Sequence, residues 1–296
     1  MPAMRVAVLD VGSNTVRLLV ARAGDGQIVP VRQERAHVGL ARDIERTGGI
    51  SGGKLREACS VARGYAQLAA VDGARYLQVL VTAPARQAAN GDVLTDALAS
   101  ATGAPVRGLS AEEEGRLAFA GAVASLPSPP TSVTVCDVGG GSTQLVFGTG
   151  ASGPVWFRSL DIGSLRLAQR CLRSDPPRGL ELEAVAAEVA SGFAGLAPPL
   201  PRVALAVGGT ARGLRRVVGR TLGAKELDRA LDCLSRRTAR QIAREYRLDL
   251  WRAETLSAGA LVLAEVGRRL GVPLVVARAG LREGAAVELL AAAKAA

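Results

Sequence analysis

The feature that most constrains the fold is an internal repeat. The segment "RVAVLDVGSNTVRLLVARAGDGQIVPVRQE" begins at Arg5, and "SVTVCDVGGGSTQLVFGTGASGPVWFRSL" begins at Ser132. Each reads as an apolar strand that ends in aspartate, a glycine-containing turn, a second apolar strand, and then a glycine-rich hairpin and a third strand. Two such units so far apart predict a duplicated domain and not a short repeat array.

The repeat also predicts equivalent positions and a domain boundary. Aligning the two segments pairs Asp10 with Asp137, Gly12 with Gly139, Thr15 with Thr143 after one residue of slack, and Arg17 with Gln144. The segment "SLPSPPTS" just before the second unit reads as a linker. We therefore expect one domain over 1–126 and a second over 127–296, whose last helix, about 281–296, is allowed to pack back on the first domain.

The remaining segments read as an α/β protein. Between the repeats, "SGGKLREACSVARGYAQLAAVDG" predicts a helix capped by Ser51, and "PARQAANGDVLTDALASATG" predicts a single helix. A strand is predicted over "RYLQVLVTA", a short strand over "PVRGLS", and a helix with acids in its first turn over "AEEEGRLAFAGAVASL". After the second repeat we expect the helices "LDIGSLRLAQRCL" and "GLELEAVAAEVASGFAGL", the strand "RVALAVGG", a long basic helical region from "TARGLRRVVG" to "ELDRALDCLSRRTARQIAREY", the helix "ETLSAGALVLAEVGRRLG", the strand "VPLVVARAG" and the closing helix "LREGAAVELLAAAKAA".

Composition narrows the classes of function. The formal net charge is +10, and nearly all the basic residues are arginine. Arginine binds phosphate bidentately, so a polyanionic partner is one explanation, and a GC-rich genome that writes arginine for lysine is the other. His37 is the only histidine, which argues against a histidine-dependent triad. The four cysteines form no C-x-x-C pair, and no signal peptide or membrane-spanning run is visible, so we expect a reducing, cytoplasmic setting without membrane contact.

Three glycine-bearing segments each follow an apolar strand. They are Asp10–Thr15, Asp137–Thr143 and Gly208–Thr210. Glycine lets a backbone approach a ligand closely, and successive N–H groups in such turns form a cradle for anions. The hydroxyls of Ser13, Ser142, Thr143 and Thr210 would add donors. The pattern predicts phosphate binding, although each segment taken alone is also compatible with a tight hairpin turn.

Acidic residues suggest two further roles. Asp10 and Asp137, each at the carboxyl end of a strand, suit a hard cation such as Mg²⁺, which typically takes one or two carboxylates plus substrate phosphate. The alternative is that each aspartate only caps its turn. In "SAEEEGRL", one of three consecutive acids could serve as a general base for water beside a bound phosphate, while a solvated first helical turn is the simpler explanation.

These motifs jointly resemble a known family. The set "AVLDVGSNTVRLLV", "VTAPARQAANG", "LSAEEEGRLAFAGA", "VCDVGGGSTQLVFG", "RSLDIGSLRLAQ", "AVGGTARGL", "SAGALVLAEV" and "GLREGAAVELL" resembles, in order and spacing, the exopolyphosphatase/guanosine pentaphosphate phosphatase family over roughly residues 4 to 290. The resemblance implies an α/β fold of two ribonuclease-H-like domains flanking a central cleft, as in the actin-like ATPase and sugar kinase superfamily, in the short two-domain form. It also implies Mg²⁺ or another divalent cation such as Mn²⁺, and a homodimer.

The resemblance assigns roles to individual residues. It places the catalytic carboxylate on Glu113, with Glu114 beside it, and it places Asp10 and Asp137, the predicted metal contacts, in two of the family's motifs. The implied phosphate contacts are Gly12, Ser13, Asn14, Thr15, Arg86, Gly139, Gly140, Gly141, Ser142, Thr143, Gly208, Gly209 and Thr210.

The chain departs from the family pattern at several positions. Gln144 stands where the family has a glutamate that helps hold the metal or orient water, and an amide cannot act as a base and is a weak ligand for Mg²⁺. Ala111 and Gly115 replace the Gly and Ala around the acids, and Ala277-Arg278-Ala279 replaces the usual S-D-G. Either fewer carboxylates hold the metal, or activity is weak, or the protein binds phosphate chains without cleaving them.

Three functions follow from these observations. The first is hydrolysis of the terminal phosphoanhydride of inorganic polyphosphate with Glu113 as general base, with the arginines between residues 212 and 247 forming either a track for the chain or a solvated helix face. The second is hydrolysis of the 5′ γ-phosphate of guanosine pentaphosphate. The third is a non-catalytic sensor of polyphosphate or alarmone, which Gln144 and Arg278 favour. A kinase is disfavoured, and no specific nucleic-acid partner is expected.

Overall fold

The structure is a computed structural model that describes residues 4–24, 27–128 and 130–295. The chain divides into two compact units, Met1–Ser125 with Ala279–Ala296, and Leu126–Arg278. Within the described ranges, no helix combines the length and apolar composition needed to cross a membrane.

The first unit is built on a mixed sheet. Its strands are β1 (Arg5–Val11), β2 (Thr15–Gly24), β3 (Gln27–His37), β4 (Ala74–Val81) and β5 (Val106–Gly108). Within the residues that the structure describes, they form a five-stranded sheet in the order β3-β2-β1-β4-β5. Strands β1, β2 and β3 form an antiparallel meander, whereas β4 runs parallel to β1 and β5 parallel to β4. Because β1 lies in the middle, Val6–Val11 are all buried.

Helices connect these strands. They are α1 (Leu40–Thr47), α2 (Gly52–Val71), α3 (Ala83–Gln87), α4 (Gly91–Thr102) and α5 (Ala111–Ala124). The Ser51 cap of α2 is confirmed, because its side chain accepts a hydrogen bond from the Lys54 amide. The single helix predicted after β4 is wrong: the chain breaks between α3 and α4, where a Cβ on Gly91 would lie 2.4 Å from the Ala85 carbonyl oxygen. Helix α1 was not predicted.

The second unit repeats this plan with additions. Its strands are β6 (Val133–Val138), β7 (Thr143–Thr149), β8 (Gly153–Leu160), β9 (Val203–Val207), β10 (Thr221–Leu222) and β11 (Leu274–Val276). Within the described ranges their order is β10-β11-β9-β6-β7-β8, with β6, β7 and β8 antiparallel and β9 parallel to both β6 and β11. The antiparallel meander joined to parallel strands therefore occurs in both units, and this confirms the duplication.

Seven helices within the described residues of this unit complete it. They are α6 (Ser164–Cys171), α7 (Gly179–Gly192), α8 (Gly208–Val218), α9 (Ala224–Ser235), α10 (Ala239–Glu245), α11 (Leu250–Glu254) and α12 (Leu256–Leu270). One hydrophobic core, which includes Phe193, Leu214 and Leu263, fills the space between sheet and helices. The long basic helical region is interrupted, because β10 lies between α8 and α9 and pairs with β11.

The register of the strands corrects one predicted equivalence. Asp10 pairs with Arg17 across β1 and β2, and Asp137 pairs with Gln144 across β6 and β7, so the two turns have equal length. In the first turn the Gly12 amide donates to the Thr15 carbonyl at 3.0 Å, and in the second the Gly139 amide donates to the Ser142 carbonyl at 2.9 Å. Thr15 therefore corresponds to Ser142 and not to Thr143.

The closing helix α13 (Leu281–Ala295) belongs to the first unit, although it follows the last strand of the second sheet. It packs against α5 and against β1 and β2. The backbones of α5 and α13 touch, since a Cβ on Gly121 would lie 2.0 Å from the Gly280 carbonyl oxygen and one on Gly284 would lie 2.0 Å from that of Leu117. This contact has room only for glycine.

Candidate functional site

The turn between β1 and β2 is held from behind by the start of α1. The carbonyl of Ser13 accepts from the Ala41 amide at 2.8 Å, and the carbonyl of Asn14 accepts from the amides of Val38 and Gly39 at 2.9 and 3.0 Å. The carbonyl oxygens of the turn therefore point toward α1. Within the described part of the chain, the amides of Ser13 and Asn14 donate no backbone hydrogen bond outside the regular elements.

The turn between β6 and β7 is held in the same way by the start of α6. The Gly139 carbonyl accepts from the Ser164 amide at 2.9 Å and from its hydroxyl at 3.1 Å, and the Gly140 carbonyl accepts from the amide of Leu165 at 3.0 Å. A Cβ on Gly163 would lie 2.2 Å from the Gly140 carbonyl oxygen, so the turn and the helix start touch through backbone. Among the residues described, the amides of Gly140 and Gly141 donate no backbone bond, as an anion cradle requires.

Asp10, predicted as a metal ligand from its position at the end of a strand, lies in a group of charges that is largely buried. It is 4% exposed, and the Arg17 Nε lies 3.4 Å from its Oδ2 without forming a hydrogen bond. Arg282 of α13 is also buried and donates to the Leu18 carbonyl at 3.1 Å. Burial lowers the pKa of Arg282, Arg17 lowers it further, and the charges of Glu283 and Asp10 raise it. Asp10 thus compensates the half-buried Arg17 and the buried Arg282.

Asp137 lies at the start of α8. Its Oδ1 would be 2.2 Å from a Cβ on Gly208, which has a φ of 84°, so only glycine lets the strand pass into the helix beside this carboxylate. The prediction of a third glycine-bearing loop is wrong, because Gly208, Gly209 and Thr210 form the first turn of α8. A carboxylate at a helix N-terminus is favoured by the helix dipole.

The hydroxyls of two threonines are already used. Thr143 is fully buried and donates to the Ile162 carbonyl, and Thr210 is fully buried and donates to the Val138 carbonyl at 2.9 Å. A hydroxyl has one proton to donate, so neither hydroxyl is placed to donate to phosphate as predicted. Ser142 differs, because its hydroxyl oxygen accepts from the Gln144 Nε2 at 2.9 Å.

The three acids at the start of α5 have separate environments. Ser110 and Glu113 form a capping box, in which the Glu113 amide donates to the Ser110 hydroxyl and the Glu113 Oε2 accepts from the Ser110 amide at 2.9 Å. The Glu113 Oε1 accepts from Arg107 at 2.8 Å. The Ser110 amide and, after it, Arg107 lower the pKa of Glu113. Both oxygens of Glu113 thus accept a hydrogen bond, which gives this residue a structural role at the start of α5.

Glu114 is placed differently. Its side chain is 13% exposed, against 40% for Glu113, and its Oε2 accepts from the Arg86 Nη2 at 2.8 Å. Arg86, on α3, also donates to the Leu109 carbonyl at 2.6 Å, which fixes the guanidinium between α3 and the end of β5. Glu112 is exposed. Of the three acids, Glu114 is the one held against the carboxyl ends of the first sheet, the edge where ligands of α/β proteins bind.

Arg252, which no sequence motif predicted, covers the start of α8. Its Nη2 would lie 2.1 Å from a Cβ on Gly209, its Nη1 is 3.4 Å from the Thr210 hydroxyl oxygen, and its guanidinium stacks on Trp251 at 4.3 Å. Because Arg252 is far from Thr210 along the chain, no local pattern connects the two.

Two further predictions for the second unit concern the arginine track and the segment that replaces S-D-G. Several arginines of the proposed track are engaged nearby: Arg236 pairs with Asp232, Arg237 pairs with Glu245, and Arg216 donates to the Tyr246 carbonyl. These contacts favour the solvated helix face. In the segment that replaces S-D-G, the Ala277 amide extends the sheet by donating to the Ala206 carbonyl at 2.9 Å, and Arg278 is exposed. Among the described residues, no group of three or more His, Cys, Asp or Glu could hold a metal ion.

Comparison with known proteins agrees with this architecture. Residues 19–293 match the model of the Ppx/GppA phosphatase family. The chain is 32% identical over 292 residues to Exopolyphosphatase 2 of Mycobacterium tuberculosis, covering 90% of this chain and 91% of that protein. The crystal structure of the Aquifex aeolicus member of the Ppx/GppA family superposes with a TM-score of 0.84 at 25% identity, over 98% of this chain and 99% of that one. An exopolyphosphatase from Cytophaga hutchinsonii, 20% identical, shares the fold with a TM-score of 0.88 over 98% of each chain. With its two ribonuclease-H-like units of the actin-like ATPase fold, the chain belongs to the Ppx/GppA phosphatase family.

Proposed function

We propose that the protein is an exopolyphosphatase, which hydrolyses the terminal phosphoanhydride bond of inorganic polyphosphate. The observation that carries the proposal is the same turn in each unit, whose carbonyl oxygens are bound by the start of a helix. The amides of Ser13 and Asn14 in the first unit, and those of Gly140 and Gly141 in the second, remain for phosphate oxygens. The relative named Exopolyphosphatase 2 supports polyphosphate as the substrate.

The general base of the proposed reaction is Glu114. Glu114 accepts a proton from water as the water oxygen attacks the terminal phosphorus, and the bond from that phosphorus to the bridging oxygen breaks. The remaining chain leaves with the electron pair of that bond. Arg86 orients Glu114 through the 2.8 Å contact, and is itself fixed by the Leu109 carbonyl. We assign this role to Glu114 and not to Glu113, because Glu113 already closes the capping box of α5.

A divalent cation would be held by a small protein donor set. Asp10 is adjacent to Arg17, and Gln144 is an amide, so Asp137 is the carboxylate that would hold Mg²⁺ or Mn²⁺ together with oxygens of the substrate. This fits magnesium, which commonly takes one or two carboxylates plus phosphate oxygens. When bound, such an ion neutralises charge on the phosphate group under attack.

The test compares two neighbouring acids. Phosphate release from long-chain polyphosphate is measured with Mg²⁺ for wild type, Glu114→Gln and Glu113→Gln. Removing a positioned general base should lower the rate by roughly 10² to 10⁴. We expect that loss for Glu114→Gln, and less than about a threefold change for Glu113→Gln, because glutamine can still close the capping box.

Each other outcome has a defined meaning. Loss of activity in Glu113→Gln with activity retained in Glu114→Gln would restore the prediction made from the sequence. Absence of release from wild type, with release gained by Gln144→Glu, would favour the phosphate-binding regulator, which the glutamine at this position supports.

A further inference from the structure

The contact between Gln144 and Ser142 determines which way a hydroxyl proton points. Gln144 is 2% exposed and Ser142 is 4% exposed, and the amide Nε2 donates to the hydroxyl oxygen at 2.9 Å. An amide nitrogen has only protons to offer, so the serine oxygen must be the acceptor. Within the described residues, the Ser142 hydroxyl donates to no protein acceptor. Its proton is therefore available to a ligand.

A glutamate at position 144 would reverse this contact. A carboxylate only accepts, so Ser142 would have to donate its proton to residue 144. The serine oxygen would then present only lone pairs to a ligand. The turn would also carry two negative charges, those of Asp137 and of the new glutamate. Such a turn repels phosphate unless a cation lies between them, whereas the glutamine of this chain leaves the turn neutral apart from Asp137.

The neighbouring hydroxyls cannot replace Ser142. Those of Thr143 and Thr210 donate to the carbonyls of Ile162 and Val138 and are fully buried. Ser142 is thus the hydroxyl donor that adjoins the unused amides of Gly140 and Gly141. A neutral donor set of two amides and one hydroxyl binds an anion without a metal bridge.

We propose that Gln144 is a positioning residue that makes Ser142 a hydrogen-bond donor to phosphate, so that the second unit binds an oligophosphate chain without a divalent cation. The inference deepens the proposed function and rests on its assignment of this turn to phosphate. The proposed function concerns hydrolysis, whereas this inference concerns how strongly the turn binds phosphate with and without a divalent cation. The predicted binding does not depend on the rate of hydrolysis.

The experiment is a double-mutant cycle read by calorimetric titration with tripolyphosphate, in excess EDTA and again in excess Mg²⁺. Wild type, Gln144→Glu, Ser142→Ala and the double variant are compared, and Gln27→Glu, an exposed position in β3, controls for the added charge. In EDTA we expect Gln144→Glu to bind about tenfold or more weakly than wild type, and Mg²⁺ to restore most of that loss. Wild type and Gln27→Glu should bind in EDTA, and Mg²⁺ should tighten their binding by a factor about tenfold smaller than the factor for Gln144→Glu.

The Ser142→Ala variants test the direction of the hydrogen bond between Ser142 and residue 144. Ser142→Ala should weaken binding about tenfold in the wild-type background, since a donor to an anion is lost. It should have little effect in the Gln144→Glu background, where the serine proton already serves the new carboxylate. Equal effects of Ser142→Ala in both backgrounds, or equal metal dependence of wild type and Gln144→Glu, would overturn the inference. Failure of the proposed function would instead appear as absent phosphate release while these binding differences remain.

Discussion

The turns at Asp10–Arg17 and Asp137–Gln144 have the same backbone and different charges. Both have equal length and register, and both are backed by amides at the start of a helix that follows the third strand. The residue paired with the aspartate is a cation in the first turn and a neutral amide in the second. The two turns therefore share a backbone that can bind an anion but differ in their side chains. Asp10 has a structural role beside arginines, whereas Asp137 adjoins the start of α8.

The largest expected effect is on stability, and it tests whether Asp10 and Asp137 have different roles. Asp10→Asn removes the carboxylate that compensates Arg17 and the buried Arg282, and removing one partner from buried charges costs about 3 kcal/mol of unfolding free energy. Asp137→Asn should cost about 1 kcal/mol, because the carboxylate charge is favoured at a helix N-terminus and asparagine keeps an oxygen that accepts hydrogen bonds. Hydrogen exchange followed by mass spectrometry measures the stability of each unit separately.

The substitution at Asp10 should raise exchange in β1 and β2, and that at Asp137 should leave both units close to wild type. Equal destabilisation by the two substitutions would show that the aspartates have the same role, and the comparison would fail.

A second, smaller effect concerns the helix starts behind the turns. In Gly163→Ala the new Cβ would meet the Gly140 carbonyl oxygen at 2.2 Å, so the turn must move, at a cost of about 2 kcal/mol and with weaker tripolyphosphate binding. Gly39 is the first-unit counterpart, with a φ of 71° and the nearest side-chain atom at 3.3 Å, so Gly39→Ala should cost only about 1 kcal/mol of backbone strain.

The control for both is Gly64→Ala, in the middle of α2, where a Cβ meets nothing within 4 Å. It should stabilise the helix by about 0.5 to 1 kcal/mol. Urea unfolding measures all three variants, and a Gly163→Ala protein that binds tripolyphosphate like wild type would mean that the turn is not held by α6.

The sequence predicted what depends on local patterns. Alternating apolar residues located the strands of both meanders, and Ser51 marked the start of α2, because periodicity and capping act over a few residues. The duplication also followed from the sequence. The break before Gly91 and the first turn of α8 at Gly208 did not, since each depends on a close approach to another part of the chain.

The side chains of the site were harder to predict, for two different reasons. Arg252 reaches Thr210 from a distant helix, so no local signal could have identified it. For Glu113 the signal was present, because Ser110 followed three residues later by glutamate is the capping-box pattern. The resemblance assigns catalysis to the first acid of the pair, whereas the capping pattern gives that acid a structural role.

The smallest expected effect on stability concerns the first turns of α5 and α13, the helices that follow the last parallel strand of each sheet. In α5, Glu113 accepts from the Ser110 amide at 2.9 Å, and in α13, Glu283 accepts from the Gly280 amide at 2.8 Å, so the two glutamates occupy equivalent positions in the first helical turn. Replacing either one by alanine should lower the unfolding free energy by about 1 kcal/mol, measured by urea unfolding. Equal losses for the two variants are what a capping role for both glutamates predicts, and a much larger loss for one would show that this residue makes a further contribution.

The pH dependence of the unfolding free energy tests whether the charge of Glu113 strengthens the cap of α5. Its pKa is lowered in the folded protein by the Ser110 amide and by Arg107, so its charged form stabilises the fold above the unfolded pKa, and this contribution is lost as the pH falls through the folded pKa. Glu113→Gln keeps the cap but cannot titrate. The unfolding free energy of wild type should therefore exceed that of the variant at neutral pH, by about 0.5 kcal/mol because the site is partly solvated, and the two should match once the pH is below the folded pKa. A difference that did not change with pH would mean that the charge of Glu113 adds nothing to the cap, and its contact with Arg107 would then be incidental.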